Sequence, residues 1–330
     1  MAILNSASKH HVRSTCIVKK FITPSNKKSN CLKANSPLID DESCLFPLLA
    51  LALLLSFSSL LVNHFFLHFH GNNYFPNGSF GMGVTLLLMM LGCRLLFSNE
   101  HISYLIARKT VLFFIVMAAL ATMTNAAQYT PFPPIDHYLI AFEALFNIDM
   151  ADIVAWTAQY PSFKQLLVYA YASIDYQLSC LPLIIIFSRQ FDVVNEHFFL
   201  LLCSFILGFS FYYFFPTVAP ASMVSSPYFF AEQHATGIKF MEIQNHQIPS
   251  TLYGGMVAFP SFHAVWAWFS VYLCRRLWVV CLLLLPLNLL LIASCVLLGW
   301  HYPVDLLGSV ILAVLCHTAY HFCQRRLLKR

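Results

Sequence analysis

Charged side chains are scarce in this chain. Only 10% of its 330 residues are Asp, Glu, Lys or Arg, whereas 59% are hydrophobic and 15% are aromatic. A soluble core cannot bury that much apolar surface, because too few charged side chains remain to cover the outside. The composition therefore excludes an ordinary soluble globular protein and predicts that the lipid bilayer is the main solvent.

The sequence also gives no sign of a disulfide framework, of a nucleic-acid-binding domain or of a secretory signal peptide. The eleven cysteines lie in the N-terminal tail, in apolar runs or at their inner ends, and none lies in a predicted outer loop, so we expect free thiols. The net charge of +5 comes from short basic clusters beside apolar runs, which excludes a nucleic-acid-binding domain. About 44 mostly polar residues precede the first apolar run, so we expect no secretory signal peptide.

Eight apolar runs are long enough to cross a bilayer, which takes roughly 20 residues per helix. We therefore predict an all-α integral membrane protein with about eight transmembrane helices. The predicted spans are residues 45–69, 80–97, 111–130, 165–188, 197–216, 256–274, 277–299 and 304–323.

The basic residues predict the orientation, since cytoplasmic loops retain Lys and Arg. Residues 1–44 are basic and poor in apolar side chains, which indicates a disordered cytoplasmic tail. With this tail inside, only Lys164 and Lys239 fall outside, and both termini are cytoplasmic. We expect a bacterial inner membrane with the outer face toward the periplasm, or a lumenal face in a eukaryote. The other basic residues then lie inside, namely Arg94, Arg108, Lys109, Arg189, Arg275, Arg276, Arg325, Arg326, Lys329 and Arg330.

Two short motifs combine histidine with proline at the outer face. Phe259-Pro260-Ser261-Phe262-His263 begins the sixth predicted span, and Gly299-Trp300-His301-Tyr302-Pro303-Val304-Asp305 joins the seventh to the eighth. The intervening chain crosses the membrane inward and returns, with Arg275 and Arg276 at the inner turn. The topology therefore predicts that the two histidines meet at one depth.

The residue types suit phosphoryl transfer. His301 and Asp305 are four residues apart, so a helix starting near Pro303 lets the carboxylate orient the imidazole. His263 can supply a proton to a leaving oxygen. Ser261 and the free N–H groups after Pro260 can bind phosphate oxygens at a helix N-terminus. Such a site requires neither a metal nor another cofactor.

These motifs resemble the second and third signature motifs of the type-2 phosphatidic acid phosphatase superfamily. The resemblance implies that His301 is the nucleophile that becomes phosphohistidine, that Asp305 is its orienting partner and that His263 is the general acid. It covers about residues 130–325. It also implies that the last six spans form a helical bundle of the superfamily's type.

Departures from the family pattern narrow the resemblance. Phe262 replaces the usual Gly, Cys295 follows Ser294 where the family has Arg, and the first motif with its Lys and Arg is missing. A Phe215-Pro216-Thr217-Val218-Ala219-Pro220 segment occupies its place. These features resemble the inositol phosphorylceramide synthase and sphingomyelin synthase branch, whose members often transfer a phospho head group to a lipid alcohol.

The predicted organisation is a tail at 1–44, two additional spans at 45–110 and a six-helix catalytic domain at 111–330. With the family's Lys and Arg missing, the candidate substrate-binding residues are Ser261, Tyr302 and Lys239. Asp175, inside the fourth span, is a further candidate with an equally weighted structural alternative, a hydrogen bond within the bundle.

The predicted substrate is a phospholipid or sphingolipid in the bilayer. Water as acceptor makes the protein a phosphatase of phosphatidic acid or isoprenyl phosphate, and an alcohol makes it a phosphotransferase. A non-catalytic lipid transporter or scaffold is the alternative from another class. It gives the two histidines and Asp305 no reason to converge.

Overall fold

The computed structural model describes residues 42–68 and 71–327, so nearly all of the predicted disordered tail lies outside the described residues. Within these ranges the regular structure is helical, with no β-strand. A single 3₁₀ turn, Pro220–Ser222, precedes α8. The helices in chain order are α1 (Leu45–Phe65), α2 (Ser79–Leu96), α3 (Ile102–Ala126), α4 (Asp136–Ala144), α5 (Met150–Ala158), α6 (Pro161–Phe187), α7 (Phe191–Phe214), α8 (Ala231–Gln244), α9 (Phe262–Leu273), α10 (Trp278–Leu297) and α11 (Pro303–Leu327).

Seven of the described helices are long and apolar enough to cross a membrane, namely α1, α2, α3, α6, α7, α10 and α11. They confirm the all-α integral membrane class. The remaining predicted span, 256–274, contains only the 12 residues of α9, about 18 Å of helix. It is shorter because residues 255–260 are not helical and Ser261 is the N-cap.

The third membrane helix also differs from its predicted bounds. It begins at Ile102, before the predicted start at residue 111, and therefore contains Arg108 and Lys109, which the charge pattern predicts to lie on the inner side. The boundary predicted between residues 110 and 111 therefore falls inside α3. Lys109 is buried there and is neutralised by Glu42, with Asn195 as a further acceptor at 2.6 Å.

Helix α9 lies at the centre of the bundle and packs against α6, α7, α10 and α11. Ala267 of α9 is buried in a cluster with Ile174, Leu291 and Cys295. Because four long helices enclose it, the start of α9 is held in a fixed position beside the start of α11.

Ion pairs mark the bundle end where α9 stops. Arg275 and Arg276 follow α9 and pair with Glu196 and Asp192 at the start of α7. The histidine motifs lie at the other end, since His263 is the second residue of α9. Charges of both signs therefore collect at one end of the bundle and the histidines at the other.

The expectation of free thiols throughout is wrong for one pair. Cys44 and Cys323 form a disulfide, with Cα atoms 6.2 Å apart and 279 residues between them in sequence. The start of α1 and the end of α11 meet in the fold, which their separation in sequence does not indicate. Cys16 and Cys31 lie outside the described residues. The described free thiols are Cys93, Cys180, Cys203, Cys274, Cys281, Cys295 and Cys316.

Candidate active site

The His301 imidazole is held through one nitrogen. Its Nδ1 lies 2.8 Å from the Ala258 carbonyl oxygen and 3.2 Å from Asp305 Oδ2. Both partners are acceptors, which assigns the proton to Nδ1 and leaves the lone pair on Nε2. Asp305 Oδ2 also accepts the backbone N–H of Tyr302 at 2.9 Å, so the carboxylate is itself fixed. His301 therefore has the tautomer that a nucleophilic Nε2 requires.

His263 faces His301 from the first turn of α9. The two ring centroids are 6.0 Å apart, and the rings are tilted by 57°. Tyr171 of α6 stacks on His263 at 4.3 Å, and its hydroxyl lies 3.4 Å from His263 Nδ1. Trp300 stacks on the same tyrosine ring at 5.2 Å. The aromatic contacts fix the plane of the second imidazole.

Both histidines line one cavity of about 210 Å³, which we call the histidine cavity. This volume is below the roughly 300–1,000 Å³ of pockets that enclose drug-sized ligands, so it suits a phosphate and a polar substituent rather than an acyl chain. Its described lining contains no Lys or Arg. The lining residues are Tyr74, Thr124, Tyr171, Phe205, Phe209, Ala219, Thr236, Gly254, Gly255, Met256, Val257, Ala258, Phe262, His263, Trp266, Trp300 and His301.

Lys239 lies immediately behind this lining. It is 2% exposed, and its Nζ donates to the carbonyl oxygens of Tyr253 and Gly254 at 3.2 and 3.0 Å and to Tyr74 Oη at 3.2 Å. Burial lowers the pKa of Lys239 to about 8. The ammonium group stays mainly protonated at neutral pH, with neutral oxygens as its three partners.

The other three predicted substrate-binding side chains do not line the histidine cavity. Ser261 is fully buried, and its hydroxyl caps α9 by accepting the Ala264 N–H at 3.4 Å and also contacts Cys295 Sγ at 3.8 Å. Tyr302 is fully buried, and its hydroxyl faces Asp136. Asp175 is exposed on α6, because Ile174 and Gln177 occupy the packed face of that helix.

The segment in place of the family's first motif has a structural role. The Thr217 hydroxyl is fully buried and accepts the backbone N–H groups of Ala258 and Phe259 at 3.1 and 2.8 Å. Ala258 is the residue whose carbonyl holds His301. Thr217 therefore helps to position the His301 imidazole indirectly, by fixing Ala258.

The substitutions at the second and third motifs are explained by packing. A side chain on Gly208 of α7 would meet the Phe262 ring at 2.5 Å, so the small residue on one helix makes room for the large one on the other. Cys295 is fully buried beneath the cap of α9. A guanidinium at that position would have to be buried beside Ser261.

Two buried carboxylates behind His301 were not identified from the sequence. Asp136 Oδ2 accepts the Val218 N–H and Glu143 Oε1 accepts the Val304 N–H, each at 2.9 Å. Burial raises the pKa of both to about 7, with a smaller effect from the nearby Asp305 carboxylate. They lie in α4, in the connection between α3 and α6, which has no recognisable motif. No group of three or more His, Cys, Asp or Glu within 42–68 and 71–327 is arranged to hold a metal ion.

These observations define an integral membrane protein with a two-histidine, one-carboxylate site at one end of a helical bundle. The family model of the PAP2 superfamily matches residues 137–319, more than half of the chain, and the chain belongs to that superfamily. Membership supports a function of the lipid phosphatase or phosphotransferase type. No curated protein and no solved structure matches the chain.

Proposed function

We propose that the protein cleaves a lipid phosphoester through a phosphohistidine on His301 and passes the phosphoryl-bearing group to water or to a lipid alcohol. The observation that carries the proposal is the double hydrogen bond of Nδ1 to Ala258 and Asp305. It leaves Nε2 as the free nitrogen of an imidazole in the wall of the histidine cavity. A non-catalytic transporter or scaffold gives no reason for this arrangement.

The proposed reaction is a double displacement. His301 Nε2 attacks phosphorus, the bond to the leaving oxygen breaks, and His263, which takes up a proton when the anionic substrate binds beside it, gives that oxygen its proton. Asp305 stabilises the charge that develops on the His301 ring. Water or an alcohol then attacks the phosphohistidine, gives its proton to His263 and releases Nε2. The two histidines therefore alternate without net change.

The proposed substrate class is a phospholipid or sphingolipid, and the acceptor is open between water and an alcohol. Head-group transfer of the inositol phosphorylceramide synthase type is supported by Phe262 and the 215–220 segment, both of which resemble that branch. Hydrolysis of phosphatidic acid or isoprenyl phosphate is the simpler alternative. The predicted 111–330 division remains a proposal for the catalytic unit.

We propose further that the histidine cavity faces the periplasm, or the lumen in a eukaryote, with both termini cytoplasmic. Support comes from the clustering of Arg108, Arg275 and Arg276 at the opposite bundle end. The positive-inside tendency assigns such residues to the cytoplasm.

The test is to trap the intermediate with lipids labelled at phosphorus. Purified protein is quenched under alkaline conditions after brief incubation with labelled phosphatidic acid, or with labelled phosphatidylinositol plus ceramide or diacylglycerol. We expect label on His301, none in His301→Ala, and normal label in His234→Ala, whose histidine is exposed on α8. Label retained in folded His301→Ala would refute the assignment of the nucleophile.

A further inference from the structure

The loop between α1 and α2 forms part of the histidine cavity, although it lies outside the family match at 137–319. Asn72 exchanges two hydrogen bonds of 2.7 Å with the side chain of Gln128. The Tyr74 N–H donates to Asn125 Oδ1 at 2.9 Å. The first two membrane helices are therefore joined to the end of α3 by fixed polar contacts.

A second anchor joins this loop to the segment before α9. Asn72 Nδ2 donates to the Thr251 carbonyl oxygen at 2.9 Å. The side chain of Tyr74 consequently lies in the cavity wall, where its hydroxyl accepts a hydrogen bond from Lys239. A phenol oxygen that accepts from an ammonium group keeps its own proton for another acceptor.

The positive charge of Lys239 has no anionic partner among the described residues. No carboxylate in 42–68 or 71–327 lies within ion-pair distance of Lys239, and its three hydrogen-bond acceptors are neutral oxygens. An uncompensated buried cation is costly unless an anion binds beside it. The adjacent cavity has no Lys or Arg of its own in its described lining.

We infer that Tyr74 and Lys239 together form a phosphate-binding wall of the histidine cavity, and that the two N-terminal helices contribute to the site by delivering Tyr74 to it. This inference rests on the proposed function for its choice of lipid phosphate as ligand. The Tyr74 hydroxyl donates a hydrogen bond to a phosphate oxygen. Lys239 polarises that hydroxyl and provides the positive charge. The wall replaces the cationic side chains that are missing from the two family motifs.

The experiment compares Tyr74→Phe with Tyr138→Phe, a matched change at an exposed tyrosine of α4. Two quantities are measured: the KM for phosphatidic acid in detergent micelles, and the increase in thermal unfolding midpoint caused by inorganic phosphate. We expect Tyr74→Phe to raise KM about ten-fold or more and to reduce the phosphate-induced shift, as expected for a hydrogen bond to a charged group. Its kcat should change by less than about three-fold.

The variant Lys239→Met and the double variant complete a thermodynamic cycle. We expect the double variant to bind phosphate no more weakly than Lys239→Met alone, because the phenol acts through the same charge. Equal KM and equal phosphate shift in folded Tyr74→Phe and wild type would overturn the inference while leaving the proposed function intact. The phosphate-induced shift tests the phosphate-binding wall independently of the proposed lipid turnover. If wild type turns over no lipid, yet its phosphate-induced shift is lost in Tyr74→Phe, the phosphate-binding wall stands and the proposed function fails.

Discussion

At the scale of single residues, the orientation of His301 depends on one partner that spacing predicts and one that it does not. The Asp305 contact follows from a four-residue separation across the start of α11, so the sequence indicates it. The Ala258 carbonyl comes from a non-helical segment 43 residues earlier, and a backbone oxygen leaves no mark on residue identity. Spacing does not predict the contact of Tyr171 with His263 either, because that contact depends on how α6 packs against α9.

Thr217 tests whether the support of Ala258 matters for turnover. Thr217→Val leaves two buried N–H groups without their acceptor, whereas Thr217→Ser keeps the hydroxyl. We expect Val to lower kcat by roughly 10–100-fold, as for partners that orient an active group, and Ser to stay within about three-fold of wild type. Initial rates with a lipid phosphate measure this. Equal kcat values for the two folded variants would contradict the positioning role.

Asp136 makes stability depend on pH. Its pKa rises from the usual value near 4 to about 7 in the folded protein, so the folded state binds more protons than the unfolded state between these values. Stability therefore falls as pH rises from about 4 through about 7. At about 1.4 kcal/mol per pKa unit, the upper limit of the effect is about 4 kcal/mol.

Asp136→Asn should remove the part of this dependence that comes from Asp136 and leave the part from Glu143, since an amide oxygen can still accept the Val218 N–H. We expect a higher unfolding midpoint than wild type at pH 8 and little difference at pH 4, measured in detergent across the pH range. Asp152→Asn, at an exposed position of α5, serves as the control. A wild-type advantage that grows toward pH 8 would reverse the predicted sign.

At the scale of elements, hydropathy predicted the long helices well and failed at α9. The run 256–274 is apolar because the bundle buries most of its side chains, and hydropathy does not distinguish burial in protein from burial in lipid. Pro260 and Ser261 do indicate the helix start, and with it the helix N-terminus that is predicted to bind phosphate. The same residues therefore also indicated that this helix is shorter than a span.

Helix packing between α7 and α9 gives a test with an internal control. A Cβ on Gly208 would lie 2.5 Å from the Phe262 ring, whereas a Cβ on Gly92 of α2 would meet nothing within 4 Å. We expect Gly208→Ala to destabilise by about 1–3 kcal/mol and Gly92→Ala to be neutral or slightly stabilising. Thermal unfolding measures both. Rescue of Gly208→Ala by Phe262→Leu would identify the clash as the cause.

At the scale of the whole molecule, the class of the protein was predictable from the sequence. The contacts between segments that are far apart in the sequence were not. Composition and the basic clusters are properties of the entire sequence and indicate a membrane bundle. The meeting of Cys44 with Cys323, and of the 71–75 loop with the histidine cavity, depends on packing between distant helices. Without such contacts in view, the first two spans carried no functional prediction.

The Cys44–Cys323 pair should make stability sensitive to reductant. Loss of a native disulfide typically costs about 2–5 kcal/mol, so we expect a reducing agent to lower the unfolding midpoint of oxidised wild type. Cys44→Ser should already have the lower midpoint and should not respond further. An equal response of the variant would show that another feature is the target of the reductant.

The fixed tautomer of His301 also has a stereochemical consequence. One nitrogen of one ring faces the histidine cavity, so both halves of the proposed reaction use the same Nε2. Each in-line displacement inverts the configuration at phosphorus, and two in succession restore it. The product would then keep the handedness of a chiral phosphorothioate substrate, whereas direct attack by water or an alcohol on the lipid would invert it.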